Sequence, residues 1–276
     1  MAGERRSIEQ LREHYVVERE LADQLRSAKK EDRRRLYACL YDDLYKRVPH
    51  HPQNTRKVDI NAQRSSLTGQ MKLLQRFIKS DTTFMEIGPG DCSLSKEVAI
   101  RAAKVFAVDV STEITKSMSF PPNFELFLSD GSSIPVPINS VNVAYSYQLM
   151  EHLHVEDACE QIRNIHAALV PGGYYICVTP NKLTGPHDIS KHFDEVATGF
   201  HLKEYLTFEL ADIFKKLGFS KVKAAVGIKG FYLFLPVSPI RWIETSMMFL
   251  PAKLRRQIAK VFPFRSMLGI SLVVQK

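Results

Sequence analysis

The residues best suited to chemistry sit in one short run, Glu86-Ile87-Gly88-Pro89-Gly90-Asp91, at the end of the mostly apolar segment Thr83–Ile87. Two glycines one residue apart let the backbone bend sharply and let a ligand approach closely, and a following helix offers its N-terminus to an anion. Asp109 closes the next apolar segment, 21 residues after Gly88. A carboxylate there can accept hydrogen bonds from both hydroxyls of a ribose. Asp130-Gly131 follows a third apolar segment, where a carboxylate can take the amino group of an adenine lying across the strand ends. The three together describe a nucleoside slot. The glycine turn and Asp109 suit a nicotinamide dinucleotide as well as a simpler adenosyl ligand. Ser93 stands where the dinucleotide fingerprint wants a third glycine, and Pro89 removes a backbone donor from the turn. Both changes suit a ligand without a pyrophosphate.

A second group of reactive side chains lies downstream. Three of the nine histidines, His187, His192 and His201, fall within one 15-residue stretch, 187–201, downstream of the segment Tyr174–Thr179. A histidine near its unperturbed pKa of about 6.5 can deprotonate a hydroxyl. His187 and His201 are therefore the candidates for a base or a substrate-orienting group. The cysteines, Cys39, Cys92, Cys159 and Cys177, form no Cys-x-x-Cys pair, and no histidine is spaced to complete a zinc site, so no metal is expected.

The elements that must position these residues are short apolar runs alternating with helical stretches. Val105–Val110, Glu125–Leu128 and Val141–Tyr145 join the two runs already named, with helical patterns at Ser93–Ala103 and Glu156–Leu169. Continuous apolar strands separated by helices imply a parallel sheet covered on both faces. Upstream, residues 7–47 read as helix, with leucines at helical spacing and Tyr37, Tyr41 and Tyr45 beside them, until Val48-Pro49-His50-His51-Pro52 stops the pattern. A further helix is expected over 61–79. After residue 218 the pattern shifts to Val222–Val226 and Met267–Val274, with an amphipathic stretch, Ile240–Lys260, between them.

This constellation resembles the class I S-adenosylmethionine-dependent methyltransferases, in particular the broad group that includes quinone-biosynthesis and small-molecule enzymes. The resemblance covers roughly residues 80–225 and is carried by Glu86–Gly90, Asp109, Asp130, the segment Tyr147-Gln148-Leu149-Met150-Glu151-His152-Leu153, and Pro171-Gly172-Gly173 as the turn before the fifth strand. It implies a three-layer Rossmann-like α/β domain with a mostly parallel sheet and an antiparallel last strand, spanning 65–276, behind a helical extension at 1–64 that is able to cap the active site. A basic amphipathic insertion falls at about 238–265. It also implies S-adenosyl-L-methionine as cofactor, contacted by Glu86, Gly88, Pro89, Gly90, Asp109, Val110, Asp130, Gly131 and Gln148, with Glu86 organising the methionine end.

Charge narrows the acceptor. Residues 201–276 hold 13 Lys/Arg against 4 Asp/Glu, within a chain of net charge +8. Such a region favours an anionic partner: a phosphate-bearing substrate, a lipid surface or nucleic acid. Base-methylating relatives carry Asn/Asp-Pro-Pro-aromatic after the fourth strand, and this chain reads Ser146-Tyr147-Gln148-Leu149 there. A small or lipid-like acceptor is therefore preferred over RNA or other nucleic acid. A non-catalytic module that keeps the fold for binding is the rival from another class. Aromatic and aliphatic residues interleaved with cations over Ile240–Arg265 suit contact with an anionic membrane surface. With no run of 18 apolar residues and no secretory leader pattern in the first residues, a cytoplasmic protein is expected, peripheral to a membrane where that surface engages.

Overall fold

The computed structural model describes residues 4, 6–55, 60–111, 118–228 and 230–276. The chain runs α1 (Ile8–Ser27), α2 (Lys30–Arg47), α3 (Pro52–Thr55), α4 (Ile60–Leu74), β1 (Thr83–Ile87), α5 (Ser93–Ala99), β2 (Lys104–Asp109), β3 (Phe124–Leu128), β4 (Val141–Tyr147), α6 (Val155–Ala168) and β5 (Leu169–Thr179). It continues through α7 (Thr207–Lys216), β6 (Lys221–Ile228), β7 (Phe231–Pro236), α8 (Val237–Met248), α9 (Ala252–Ile258), α10 (Phe264–Met267) and β8 (Ile270–Gln275).

The strands form one eight-stranded sheet in the order β3-β2-β1-β4-β5-β8-β6-β7. β1 to β5 are parallel, and β8 runs antiparallel to both β5 and β6, as expected for the last strand. The strand order reverses at β1 and β4, so the crevice beyond their carboxyl ends is where such sheets bind ligands. Side chains alternate across the sheet. Met85 and Ile87 join one core with α1, α2, α6 and α7, while Phe84 joins another with α4 and α5. The same alternation sends Glu86 to the Phe84 side, under α5, which is why a carboxylate ends up buried.

Several boundaries differ from the sequence reading. The helix expected over 7–47 breaks at Ala28 and Lys29, whose extended backbone lets α2 fold back on α1. Neither residue is a helix breaker, so the turn is set by packing: both leucine stripes reach the sheet only if the helix folds. Ser7 and Gln10 form a reciprocal capping box that starts α1. α4 stops at Leu74 and α5 at Ala99, both short of the expected ends. The amphipathic stretch after β7 is two helices, with Pro251 directly before α9. Pro171-Gly172-Gly173 is a bulge within β5, where the pairing with β4 shifts register, and not a turn before it. β7 is an edge strand that the sequence reading does not contain; it follows Gly230 and pairs antiparallel with β6.

Two buried polar clamps hold the helices where the site needs them. Arg33 of α2 donates to both carboxylate oxygens of Asp157 on α6, at 2.7 and 2.8 Å, with both residues 3% exposed. Tyr37 donates to the same carboxylate at 2.8 Å and accepts from the His154 amide at 2.9 Å. On the other side, fully buried Glu244 of α8 accepts from the Thr207 and Phe208 amides at the start of α7 and from Asn181 Nδ2 after β5. That carboxylate satisfies helix-start amides that would otherwise be orphaned.

Candidate active site

The glycine turn leaves β1 with Gly88 at φ +68° and Gly90 at φ +53°, both in the left-handed region. The Gly88 amide donates to Val108 O at 2.9 Å, which ties the turn to β2. A Cβ on Gly88 would lie 3.1 Å from Leu149, whereas one on Gly90 would meet nothing within 4 Å. The turn is thus covered by Leu149 on one side and open on the other. Glu86 is 5% exposed and accepts a short hydrogen bond from Ser95 Oγ. Burial pushes its carboxyl up to about 8, against the hydrogen bonding from Ser95.

Asp109 closes β2 with its carboxylate turned to the crevice. It accepts from the Ser111 amide at 3.1 Å, and burial raises its pKa. Asp130 behaves differently. Oδ1 accepts from the Ser132 and Ser133 amides at 3.1 and 2.8 Å, and Oδ2 lies 3.1 Å from Arg34 Nε. Burial works to raise its pKa, but those amides and Arg34 outweigh it and hold the carboxyl below its ordinary value. Gly131, at φ +98°, has no room for a side chain, because a Cβ would stand 2.6 Å from the Tyr37 ring.

Two clefts meet at Gly88. One is lined by Tyr37 and Tyr41 from α2, with Asp109, Val110, Gly131 and His152. The other is lined by Gln63 and Ser66 from α4, with Glu86, Pro89 and Gly90. Their join runs past both carboxylates, with an apolar, aromatic-walled half and a polar half. That is the shape of a nucleoside on one side and an amino-acid chain on the other, and the open space over Gly90 leaves room for the link. The residues present fit S-adenosylmethionine.

Of the residues picked from sequence, Glu86, Gly88, Pro89, Gly90, Asp109, Val110 and Gly131 line these clefts. Asp130 lines neither cleft; it is engaged by its own turn and by Arg34. Gln148 follows β4 with φ 53°, exposed, its amide donating to Val178 O. The two histidines part company. His201 is buried, its Nδ1 2.8 Å from Glu204 Oε1 and its ring edge-on to His152 at 4.9 Å between centroids. His187 is exposed, bonded to Thr184 Oγ1 at 2.8 Å, and lines a separate cleft.

The partner that brings His201 to the site is His152, which lines the nucleoside cleft. Its Nδ1 lies 2.9 Å from the Tyr41 hydroxyl and 3.1 Å from Phe200 O. Burial lowers the pKa of His152; burial also works to lower that of His201, but Glu204 and Glu151 reverse it and raise that ring's pKa. Fully buried Glu151 accepts from Thr179 Oγ1 at 2.8 Å through Oε2 and leaves Oε1 without a partner. Glu151, His152 and His201 offer ligand atoms within 4.8 Å of one another, so the cluster can move a proton or hold a cation. Sequence reasoning missed Tyr37, Tyr41 and Gln63 as wall residues. The tyrosine spacing on α2 was the one available signal, since 37 and 41 share a helix face.

The comparisons agree with the geometry. A family model described as a methyltransferase domain matches residues 60–224. A probable S-adenosylmethionine-dependent methyltransferase of Mycolicibacterium smegmatis is 26% identical over 145 residues, 52% of this chain and 54% of that protein. One from Mycobacterium tuberculosis is 29% identical over 139 residues, 50% of this chain and 48% of that protein. The chain thus spans about half the length of the curated relatives it matches. In fold, it is similar to a methyltransferase solved in complex with the Haloferax volcanii Trm112 activator (TM-score 0.55, 14% identity, 77% of this chain and 90% of that one). It is also similar to an O-methyltransferase from Nostoc punctiforme (TM-score 0.50, 15% identity, 78% and 58%). No helix among the described residues is long and apolar enough to cross a membrane. A turn built for close approach, a buried carboxylate on β1 beside a half-buried one at the end of β2, and a family match over more than half the chain lead to one statement: this chain belongs to the class I S-adenosylmethionine-dependent methyltransferases.

Proposed function

We propose that this chain is an enzyme that moves the methyl group of S-adenosylmethionine to a small-molecule or lipid-like acceptor. The observation that carries the reading is the pair of clefts joined at Gly88, with Asp109 in one and Glu86 in the other. In this reading Asp109 accepts from both ribose hydroxyls, Val110 and Gly131 flank the base, and Glu86 accepts from the amino group of the methionine end. Asp130 acts at the adenine edge by ordering its turn, since its own oxygens are already engaged. The group bound there supplies a methyl already activated on a sulfonium, so the protein's task is alignment and exclusion of water.

The acceptor side is the Glu151, His152 and His201 cluster. His152 faces the cleft and burial lowers its pKa, which favours the unprotonated ring that can take a proton from an acceptor hydroxyl or amine as the methyl arrives. The neighbouring Glu151 carboxylate favours the charge that His152 then carries, and Glu204 holds His201 in place beside it. The helical roof from α2 supports a compact acceptor over a duplex or folded RNA, as does Ser146-Tyr147-Gln148-Leu149 in place of a base-flipping motif.

Isothermal titration with S-adenosylmethionine tests the cofactor half. We expect saturable binding in the wild type and a loss of about a hundredfold in Asp109→Ala, as for two charge-assisted hydrogen bonds removed. Equal affinity in both proteins would reject the slot. Metabolite profiling with isotopically labelled cofactor then identifies the acceptor.

A further inference from the structure

Apart from the cofactor clefts, the loop after β5 and helices α9 and α10 enclose a third cleft of a different character. His187, Lys191 and His192 from the loop face Arg256, Lys260 and Arg265, and no carboxylate lines the space. None of the ion pairs among the described residues engages Lys191, Arg256, Lys260 or Arg265, although cations elsewhere pair freely, as Lys203 does with Glu209 and Arg241 with Asp212. Arg256 is held in place, but only by neutral groups: its Nε donates to Gly185 O at 2.9 Å. That contact fixes the guanidinium without cancelling its charge. On the same cleft, His192 Nε2 is buried with no hydrogen-bond partner. Four permanent cations gathered round one concavity repel one another, and folding that keeps them together leaves a positive potential focused in the cleft.

We propose that this cleft binds a phosphate-bearing group, a phosphate monoester or diester, gripped by Arg256, Lys260, Arg265 and Lys191 with His192 as a further donor. Arginine forks and lysine point charges are suited to phosphate oxygens. The group can come from a soluble phosphate ester or from the head of an anionic lipid. Val261 and Phe262, 61% and 60% exposed, stand beside Lys260 in the sequence, and Trp242 and Phe249 on the same insertion are 76% and 85% exposed. Large apolar side chains next to cations are what a lipid surface rewards. The proposal deepens the acceptor class put forward above, and rests on it only in supposing that the acceptor or its membrane carries the phosphate.

The test uses the full chain and the triple variant Lys191→Ala, Lys260→Ala, Arg265→Ala, whose replaced side chains are all exposed. Glycerol 3-phosphate and inorganic phosphate are titrated calorimetrically, and vesicles of phosphatidylcholine with and without phosphatidylglycerol are co-sedimented at low and high salt. We expect binding to one of these phosphate sources that the triple variant weakens about tenfold or more, the loss of charge-assisted contacts. Binding to the soluble ester alone identifies a phosphorylated small molecule. Salt-sensitive binding to phosphatidylglycerol vesicles alone identifies a lipid head group. Equal binding of every probe by both proteins would overturn the proposal, as would no binding at all. So would a single-stranded oligonucleotide that binds more tightly than either source and is lost in the variant. Titration of S-adenosylmethionine into both proteins runs in parallel, so that failure of the methyltransferase reading shows there and not in the phosphate arms.

Discussion

Glu86 is a carboxylate buried at the wall of the cofactor cleft, and its replacement by glutamine tests what the burial is for. In the free protein its carboxyl is pushed up to about 8. Such a group is about one-tenth ionised at pH 7, so a ligand whose ammonium needs the carboxylate must first expel the proton. The cost is on the order of 1 kcal/mol at pH 7 and vanishes above pH 9, which means that affinity for S-adenosylmethionine rises roughly tenfold over that span. Binding at pH 7 should release close to one proton, read calorimetrically from the dependence of the heat on the buffer's ionisation enthalpy. Glu86→Gln keeps the shape and the contact with Ser95 but has nothing to ionise. Its affinity is expected to be weaker than wild type at pH 9 and to lose the tenfold rise. The variant's own isotherm carries any titration of the ligand, so the difference between the proteins belongs to Glu86. The same shift sets a stability profile. Between its ordinary value of 4.5 and about 8 the folded state keeps a proton that the unfolded state has lost. Stability therefore falls as pH rises through that window, by on the order of 5 kcal/mol in all. Glu86→Gln should flatten that decline and melt higher than wild type at pH 9. A wild type whose cofactor affinity does not change between pH 7 and 9, or a variant with the same slope, would refute the reasoning.

Two further outcomes follow from packing. Gly131→Ala places a methyl 2.6 Å from the Tyr37 ring at a backbone φ of +98°, so it should cost about 1–3 kcal/mol and weaken cofactor binding by shifting the α2 roof, both read by thermal melts with and without cofactor. Arg33→Ala strands the buried carboxylate of Asp157 and should cost about 3–5 kcal/mol, whereas removal of the exposed Arg241–Asp212 pair should cost less than about 1 kcal/mol. Equal melting shifts for the two would remove the case that α2 is clamped by a buried ion pair.

The α/β order and the cofactor positions were readable from residues 83–131 because they are local. A strand, a two-glycine turn and a short helix are neighbours in the chain, and strand periodicity places Asp109 and Asp130 at adjacent strand ends without knowledge of anything distant. The antiparallel last strand was legible through the family resemblance. The edge strand β7 was not read, although Phe231–Leu235 is a continuous apolar run: its half-exposed residues gain their place only by pairing with β6 at the sheet margin, which the local pattern does not show. The break at Ala28–Lys29 left no mark because neither residue opposes helix; only the fit of two leucine stripes on one sheet face requires it.

What the sequence by itself determined is the chemistry that depends on spacing along the chain: the turn at Gly88 and Gly90, the carboxylates that follow it, and the cationic C-terminal quarter. What only the tertiary structure decided is which distant residues share a space. Folding joins His201 to His152 across 49 positions of chain, sets Tyr37 against Gly131, occupies Asp130 with Arg34, and turns His187 away into a cleft of cations. Those alliances form between segments far apart in sequence, where the positions of side chains are settled by packing against a common sheet and by the burial of groups that must find partners there. No local pattern encodes them, because the energy that selects them exists only once the sheet is assembled.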